Sequence, residues 1–516
     1  MATATRERDT RTGDSVAMRA IVARRPAVGL AIGVVRDGRL ADFVGHGVAD
    51  TGSRAPITPD TVFRLASITK LFTAVAIMQL VERGLLDLDA PANEALRAYR
   101  LVPAWPEHRP VTVRHLLTHS SGIPDVVRLG DLLHPGWGPI ESRPAAASVP
   151  AGTRLPSLAT YYGGALHSAA EPGTAFAYCN HGFATLGQMV EDVSGLPLDR
   201  YLRDHVFDPM GMADTDLARS DRIRPRLATG YRFGRGGPVA VPDRDWVTRG
   251  ASAALSTTGD LARFAAALLA GGVGERGRIL SAETLATMLA PHHQPDPRLP
   301  GMGLGFFRHD ARGHLLVGHD GRLPGFNTDL LLAPGDGVAV IGLTNGSPGA
   351  MGWLPVEMDR LLRGSIGLAE DAIRTNLPHR PEVWPELIGV YQPPRRVTDV
   401  RQLALFGGGA EVLVRGGRLT ARLRLPVPAL WRGVPLHPDD EADPYVYRLD
   451  QAALGMPLVR VAFDPRAPGG RAMHTDLACT SLAERPARGS ARRALGLGTL
   501  LGAAGLLAVL RRGARA

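Results

Sequence analysis

Residues 28–49 carry the first clear pattern of apolar and polar positions in the chain. Two apolar stretches, residues 28–35 and 43–48, lie on either side of Asp37 and Gly38. Asp-Gly is a favoured two-residue turn because both positions tolerate a positive φ. The pattern therefore predicts a β-hairpin close to the N-terminus.

A helical pattern follows this hairpin. Leu71, Val75 and Met78 recur three or four positions apart, which places them on one face of a helix. Gly84 then supplies the kind of residue at which helices commonly stop. We predict a helix over residues 67–83.

Residues 87–300 alternate helical patterns with long loops rich in proline and glycine. Helices are predicted at residues 112–118, 181–204, 258–271 and 351–363. Strand-like apolar runs are found at residues 314–318, 326–333 and 337–343. These elements predict an α+β domain over residues 20–368, in which an antiparallel sheet built from both ends is flanked by helices and carries an inserted helical subdomain.

The pattern changes after residues 377–381, a linker of proline and charged residues. Short strand-like runs then alternate with glycine, proline and aspartate, at residues 411–414, 419–423, 445–449 and 458–463. Regularly spaced short strands of this kind are typical of small barrels or sandwiches. We predict a small all-β, barrel-like domain over residues 378–484.

The two ends of the chain differ in character. Residues 494–510 carry no charge and lie between arginine pairs, which predicts a C-terminal apolar helix. At about 1.5 Å per residue it would span roughly 25 Å, against a bilayer core of about 30 Å. Membrane attachment is the favoured interpretation, and docking on the protein is the alternative. Residues 1–19 are polar, which predicts a disordered N-terminus and, as written, no secretory signal. If residues 494–510 do not attach the protein to a membrane, we expect it to be cytoplasmic.

Composition narrows the function classes. The net charge of +9 could indicate a nucleic-acid partner, but the arginines are scattered and few aromatic residues lie between them, which favours a solvated basic surface. Cys179 and Cys479 are the only cysteines and are far apart, so no disulfide framework is implied. His115 and His119 could share a helix face, but without a third ligand we expect them to pack below a site. We expect no metal and no organic cofactor.

Lys70 is the only lysine in the chain, and it lies three residues after Ser67. A desolvated lysine amine can act as a base, whereas a guanidinium stays charged. Ser67 at a helix start would have free N–H groups beside it, and Lys70 would lie on the same helix face. The pair predicts a nucleophile with an adjacent base. The alternative is a surface lysine that follows a serine by chance.

Two further stretches can reach the same cleft. Tyr178 and Asn180 lie two apart in a turn, where a phenol can exchange protons with a lysine and a carboxamide can hydrogen-bond to substrate. Taken alone, this stretch would be a turn with a core-capping tyrosine. Residues 318–326 follow a strand-like run, and a strand edge there would supply a backbone N–H for an oxyanion hole.

Together these stretches resemble the serine β-lactamase and penicillin-binding-protein superfamily, in particular its class C-like branch of esterases, D-aminopeptidases and DD-peptidases. The resemblance covers residues 20–365 and includes the scaffold stretches 112–124 and 250–264. Its three motifs occur in family order, namely Ser67-x-x-Lys70, Tyr178-x-Asn180 and His319-Asp320-Gly321.

The resemblance implies a serine hydrolase that acts through an acyl-enzyme. It makes Ser67 the nucleophile and Lys70 its base, and it makes Tyr178 the residue that shuttles protons and activates the deacylating water. The implied oxyanion hole consists of the backbone N–H groups of Ser67 and Arg322. The substrate-binding residues that it implies are Asn180, His319, Gly321 and Arg322.

The chain departs from the family pattern in two places, the third motif and Cys179. The third motif is His-Asp-Gly where β-lactamases typically carry Lys-Thr-Gly, which removes a permanent cation and a hydroxyl expected to hold a β-lactam carboxylate. Cys179 also occupies a place often held by serine. We therefore expect small esters or D-residue peptides and amides as substrates. The alternatives are a membrane-attached penicillin-binding sensor with little turnover, and a true β-lactamase.

Overall fold

The computed structural model describes residues 2–125, 147–393, 409–424, 433–449, 458–468, 470–476 and 479–484. The α-helices of this part of the chain are α1 (Ala2–Arg24), α2 (Thr69–Glu82), α3 (Val113–Leu117), α4 (Leu158–Tyr162), α5 (Asn180–Ser194), α6 (Leu198–Leu202), α7 (Arg249–Ser252), α8 (Thr258–Leu269), α9 (Ala282–Leu289), α10 (Ala350–Ser365) and α11 (Trp384–Leu387).

The strands up to residue 344 are β1 (Gly29–Arg36), β2 (Arg39–Gly47), β3 (Phe63–Arg64), β4 (Arg100–Val102), β5 (Ser148–Pro150), β6 (Ala165–His167), β7 (Tyr231–Gly234), β8 (Gly237–Ala240), β9 (Arg244–Trp246), β10 (Leu255–Ser256), β11 (Phe307–Ala311), β12 (His314–Leu323), β13 (Phe326–Ala333) and β14 (Val338–Thr344). Those that follow are β15 (Gly389–Gln392), β16 (Ala410–Arg415), β17 (Arg418–Leu423), β18 (Val434–Pro438), β19 (Val446–Leu449), β20 (Val459–Asp464), β21 (Ala472–Thr475) and β22 (Ser481–Glu484).

The central sheet has six antiparallel strands in the order β11-β12-β13-β14-β1-β2. The predicted hairpin is β1 and β2, and its turn residues Asp37 and Gly38 have φ of 53° and 71°. Strand β1 also pairs with β14, with Leu30 opposite Thr344, so the sheet is built from both ends of this region as predicted. The antiparallel sheet with flanking helices confirms the α+β class.

Helix α2 lies at the centre of one core. Every residue from Thr69 to Leu80 is buried, and the helix packs against α5 and α7. The spacing of the apolar residues predicted a helix with one apolar face. The helix is instead apolar nearly all round, as is typical of helices enclosed on every side. Any polar atom on α2 therefore needs a partner inside the protein.

The opposite face of the sheet is covered by α10 and α1. The expected disorder of residues 1–19 was wrong, because α1 packs Met18 and Ile21 into a core with Leu30 and Trp353. Arg25 at the end of α1 also donates hydrogen bonds to the buried Glu357 of α10. The few apolar residues of α1 are enough to dock it because the sheet presents an apolar face.

Strands β15–β22 close into a barrel, which confirms the all-β prediction for the C-terminal region. Its core is rich in aromatic side chains, including Trp384, Tyr391, Tyr447 and Phe463. Ion pairs join the barrel to the sheet region, among them Arg298–Asp443 at 3.1 Å. The barrel is therefore packed against the rest of the described chain.

Some predicted elements differ in detail. The single helix predicted at 181–204 is interrupted, because Gly195 ends α5 with a left-handed φ of 74° and Pro197 precedes α6. Strand β11 had no clear signal in its sequence, which is mostly polar. Residues 494–510 lie outside the described residues. Among the helices of the described residues, none is both long and apolar enough to cross a membrane.

The packing of α1 predicts a stability effect. Met18→Ala should lower the free energy of unfolding by about 2–4 kcal/mol, because Met18 is fully buried and a cavity would remain. Val16→Ala on the same helix is the control, since Val16 is 61% exposed and should change stability by less than about 0.5 kcal/mol. Urea denaturation followed by circular dichroism measures both. Equal stability of the two variants would contradict the docking of α1.

Candidate active site

Ser67 lies in a turn of 3₁₀-helix, Ala66–Ile68, that leads into α2. Ala66 has a φ of 52°, a left-handed conformation that is rare for residues other than glycine and is often found at functional sites. Leu65 holds the turn, because its N–H donates to Ala254 O at 2.8 Å and its carbonyl accepts from Thr328 Oγ1 at 2.8 Å. The N–H of Ser67 lies in the first helical turn, where no intrahelical acceptor exists.

The side chain of Lys70 is fully buried and is surrounded by oxygen atoms. Its Nζ lies 2.9 Å from Ser67 Oγ, 2.8 Å from Asn180 Oδ1 and 3.0 Å from Ala251 O. In the unprotonated form that a base requires, the amine has two N–H donors and one lone pair. The amide and carbonyl oxygens can only accept, so they take both N–H groups. The lone pair then faces Ser67 Oγ, which is the direction that proton transfer from the serine requires.

The carbonyl of Ala251 is held by residues of α2 itself. Thr73 Oγ1 donates to Gly250 O at 2.7 Å, and Thr69 Oγ1 accepts from Ala254 N at 3.0 Å. These hydrogen bonds fix α7 against the helix that carries Lys70. Sequence reasoning did not identify Ala251, because a backbone carbonyl leaves no trace in the side-chain pattern.

Tyr178 and Asn180 lie at the start of α5, and both reach Lys70. The ring centroid of Tyr178 is 4.8 Å from Lys70 Nζ, and the ring stacks on His119 with centroids 4.2 Å apart. Cys179 is the N-cap of α5, and its Sγ accepts from Gly182 N at 3.3 Å. The sulfur thus accepts the hydrogen bond that a serine hydroxyl commonly accepts at the N-cap of a helix.

Gly321 allows strand β12 to lie directly against the turn of Ser67. A Cβ at this position would lie 2.3 Å from Leu65 O and 2.2 Å from Thr328 Oγ1. Any larger residue would therefore have to push the strand away from the turn. Gly321 was predicted to bind substrate, and what the structure shows at this position is a close approach of two backbone segments.

The backbone of Arg322 faces the open edge of β12. Leu323 and Phe326 close the two-residue turn of the β12–β13 hairpin, so they form a hydrogen-bonded pair. Because such pairs alternate, the Arg322–Asn327 pair is not hydrogen-bonded, and the Arg322 N–H points away from β13. Strand β11 pairs with β12 only up to Gly318. The edge beyond it is available to a carbonyl oxygen or an extended substrate.

The side chains of β12 alternate between the two faces of the sheet. His319 and Gly321 lie on the face of Ser67, whereas the Arg322 side chain lies on the opposite face and pairs with Asp320 at 2.8 Å. The structure therefore brings Ser67, Lys70, Tyr178, Asn180, His319 and Gly321 together. It brings only the backbone of Arg322 to them.

His319 is neutral and its tautomer is set by its neighbour. Burial, followed by the charge of Lys70, lowers the pKa of His319 to about 4. Nδ1 lies 2.6 Å from Asp320 O, which can only accept, so Nδ1 carries the proton. Nε2 is then an acceptor, and it has no hydrogen-bond partner within the described residues. This side of the site can accept a hydrogen bond but offers no cation.

The barrel reaches the site from the side of Tyr178. Cys479, which precedes β22, is buried in an apolar cluster with Phe176 and Met302, and Tyr178 and Phe307 pack against this cluster. Burial raises the pKa of the Cys479 thiol to about 12, so the thiol is protonated at neutral pH. The wall around Tyr178 is therefore apolar and partly built by the C-terminal barrel.

The sequence profile of the Beta-lactamase family matches residues 17–361, so the chain belongs to that family. It is an enzyme of the serine hydrolase class. The predicted resemblance is thereby confirmed. Within the described residues, no group of three or more histidine, cysteine or acidic side chains is arranged to hold a metal ion.

Known proteins similar to this chain include penicillin-binding and esterase relatives. Penicillin-binding protein 4 of Amycolatopsis lactamdurans is 33% identical over 332 residues, which cover 62% of this chain and 81% of that protein. Esterase EstB of Burkholderia gladioli is 34% identical over 236 residues, which cover 45% of this chain and 56% of the esterase. A solved D-amino acid amidase from Ochrobactrum anthropi SV3 has a TM-score of 0.54 at 26% identity, covering 69% of this chain and 98% of the amidase.

Proposed function

We propose that the chain hydrolyses small esters and D-residue amides or peptides through an acyl-enzyme on Ser67. The observation that carries the proposal is the position of Lys70 Nζ, which is buried at 2.9 Å from Ser67 Oγ, 2.8 Å from Asn180 Oδ1 and 3.0 Å from Ala251 O. Nucleophilic catalysis by a serine needs a base within hydrogen-bonding distance of the hydroxyl, with its lone pair directed at that hydroxyl.

In the acylation step, Ser67 Oγ attacks the substrate carbonyl and its proton passes to Lys70 Nζ. The carbonyl oxygen becomes an oxyanion, which the N–H groups of Ser67 and Arg322 are placed to stabilise. The lysine proton then passes to the leaving alcohol or amine as the tetrahedral intermediate collapses. The products of this step are an acyl-Ser67 ester and a neutral leaving group.

In the deacylation step, water attacks the acyl-Ser67 ester and releases the acid. We assign the activation of this water to Tyr178, whose ring lies beside Lys70 and is held by stacking on His119. Lys70, which is neutral again once the leaving group has taken its proton, accepts the phenol proton of Tyr178 and later returns it to Ser67 Oγ, and the phenolate accepts a proton from the attacking water. Ser67 regains its proton when the second tetrahedral intermediate collapses.

His319 supports the choice of substrate class. In β-lactamases a lysine at this place would hold a carboxylate, but Nε2 of neutral His319 accepts hydrogen bonds. This favours substrates that bring an N–H or ammonium donor, such as the amine of a D-residue, and makes β-lactams poor substrates or inhibitors. The names of the esterase and amidase relatives agree with this class.

Lys70→Arg tests the central role of the lysine. We expect kcat to fall by about 100-fold or more, because a guanidinium cannot accept the serine proton near neutral pH. Hydrolysis of p-nitrophenyl acetate and D-alanine p-nitroanilide measures the loss, with circular dichroism as the check on folding. A variant with wild-type kcat would show that Lys70 is not the base. If the wild-type enzyme released one burst of product and then showed no steady-state turnover, the result would instead favour the penicillin-binding sensor.

His319→Lys tests how the third motif recognises substrate. The new cation should raise kcat/KM for nitrocefin, which carries a carboxylate, relative to D-alanine p-nitroanilide, which carries an amine. His314→Lys is the matched control, because it adds a similar side chain to the same strand where His314 pairs with Asp336. If both variants keep the wild-type ratio of the two substrates, His319 does not select between them.

A further inference from the structure

Asp125 lies immediately behind the Asn180 side chain that contacts Lys70. Its Oδ1 accepts hydrogen bonds from Asn180 N at 2.8 Å and from Asn180 Nδ2 at 3.1 Å. Its Oδ2 lies 3.4 Å from Nδ2. The carboxylate thus contacts both the backbone and the amide of the residue that opens α5.

These contacts decide which end of the Asn180 amide faces Lys70. The two ends of a carboxamide have nearly the same shape, so packing alone does not choose between them. With Nδ2 on the carboxylate, Oδ1 faces Lys70 Nζ at 2.8 Å. In the reversed orientation, Oδ1 would face the carboxylate of Asp125, and Nδ2 would face the amine. A carboxylate accepts and does not donate, so Asp125 excludes that orientation.

The orientation of the amide controls the lone pair of Lys70. If Nδ2 faced the amine, it would attract the lone pair, which would then turn away from Ser67 Oγ. We propose that Asp125 is a positioning residue for proton transfer, which holds Asn180 so that the free electron pair of Lys70 is directed at Ser67. This inference rests on the proposed function of Ser67 and Lys70.

Asp125 also adds negative charge near Lys70. Within the part of the chain that the structure describes, other titratable side chains around the amine include Tyr178, whose ring is 4.8 Å away, and His319, whose pKa is lowered to about 4. A nearby carboxylate stabilises an ammonium relative to an amine. Loss of the Asp125 charge should therefore favour the neutral, basic form of Lys70 at lower pH.

The test is Asp125→Asn, measured as the pH profile of kcat/KM for p-nitrophenyl acetate. We expect the plateau to fall by about 100-fold, since a misplaced catalytic group commonly has an effect of this size. The acidic limb of the profile should move to lower pH. Asp221→Asn is the matched control, because it removes the same charge from a side chain that is 97% exposed. It should keep the wild-type plateau and profile.

Each other outcome overturns the inference. A wild-type plateau and pH profile in Asp125→Asn would show that the amide of Asn180 is oriented without the carboxylate. A lower plateau with an unmoved acidic limb would show a structural role only. A smaller fraction of enzyme molecules labelled by a fluorophosphonate and a lower Tm would accompany that result. If the wild-type enzyme forms no fluorophosphonate adduct, the proposed function itself fails, and the positioning role fails with it.

Discussion

A single buried amine sets the requirements that the rest of the site meets. Lys70 is fully enclosed, and a buried amine is unfavourable unless its polar groups are hydrogen-bonded. Three of the oxygen atoms around it come from the turn of Ser67, the first residue of α5 and helix α7. Helix α2 is enclosed because it is apolar nearly all round, and these oxygens reach the amine within that enclosure. The same contacts that satisfy the amine also direct it at the serine.

The edge of the sheet supplies the other half of the site. Gly321 lets β12 approach the Ser67 turn, and the alternation of the hairpin leaves the Arg322 N–H on the open edge. His319 lies on the same face with an acceptor nitrogen. One strand therefore contributes a close approach of backbones, a backbone N–H on the open edge and a neutral histidine on the face of Ser67. On the side of Tyr178, the site is bounded by the apolar cluster of Phe176, Met302 and Cys479.

Residues that act through local spacing could be predicted from the sequence. Ser67 and Lys70 are one helical turn apart, and Tyr178 and Asn180 share one short turn, so their patterns are visible in the chain itself. Asp125 and Ala251 could not be predicted. Asp125 meets Asn180 across 55 positions, and Ala251 contributes a carbonyl that every residue possesses. Docking of α1 was missed because few of its residues are apolar, and within residues 13–24 the apolar residues buried in the core are Met18 and Ile21.

The most direct measurement of the central claim is the site of covalent labelling by a fluorophosphonate, mapped by peptide mass spectrometry on the full chain. We expect one adduct, on the peptide that contains Ser67. We expect no adduct in Ser67→Ala, whose fold should be intact because the Ser67 side chain is only half-buried. An adduct on another serine, or equal labelling of Ser67→Ala, would contradict the assignment of Ser67 as the nucleophile.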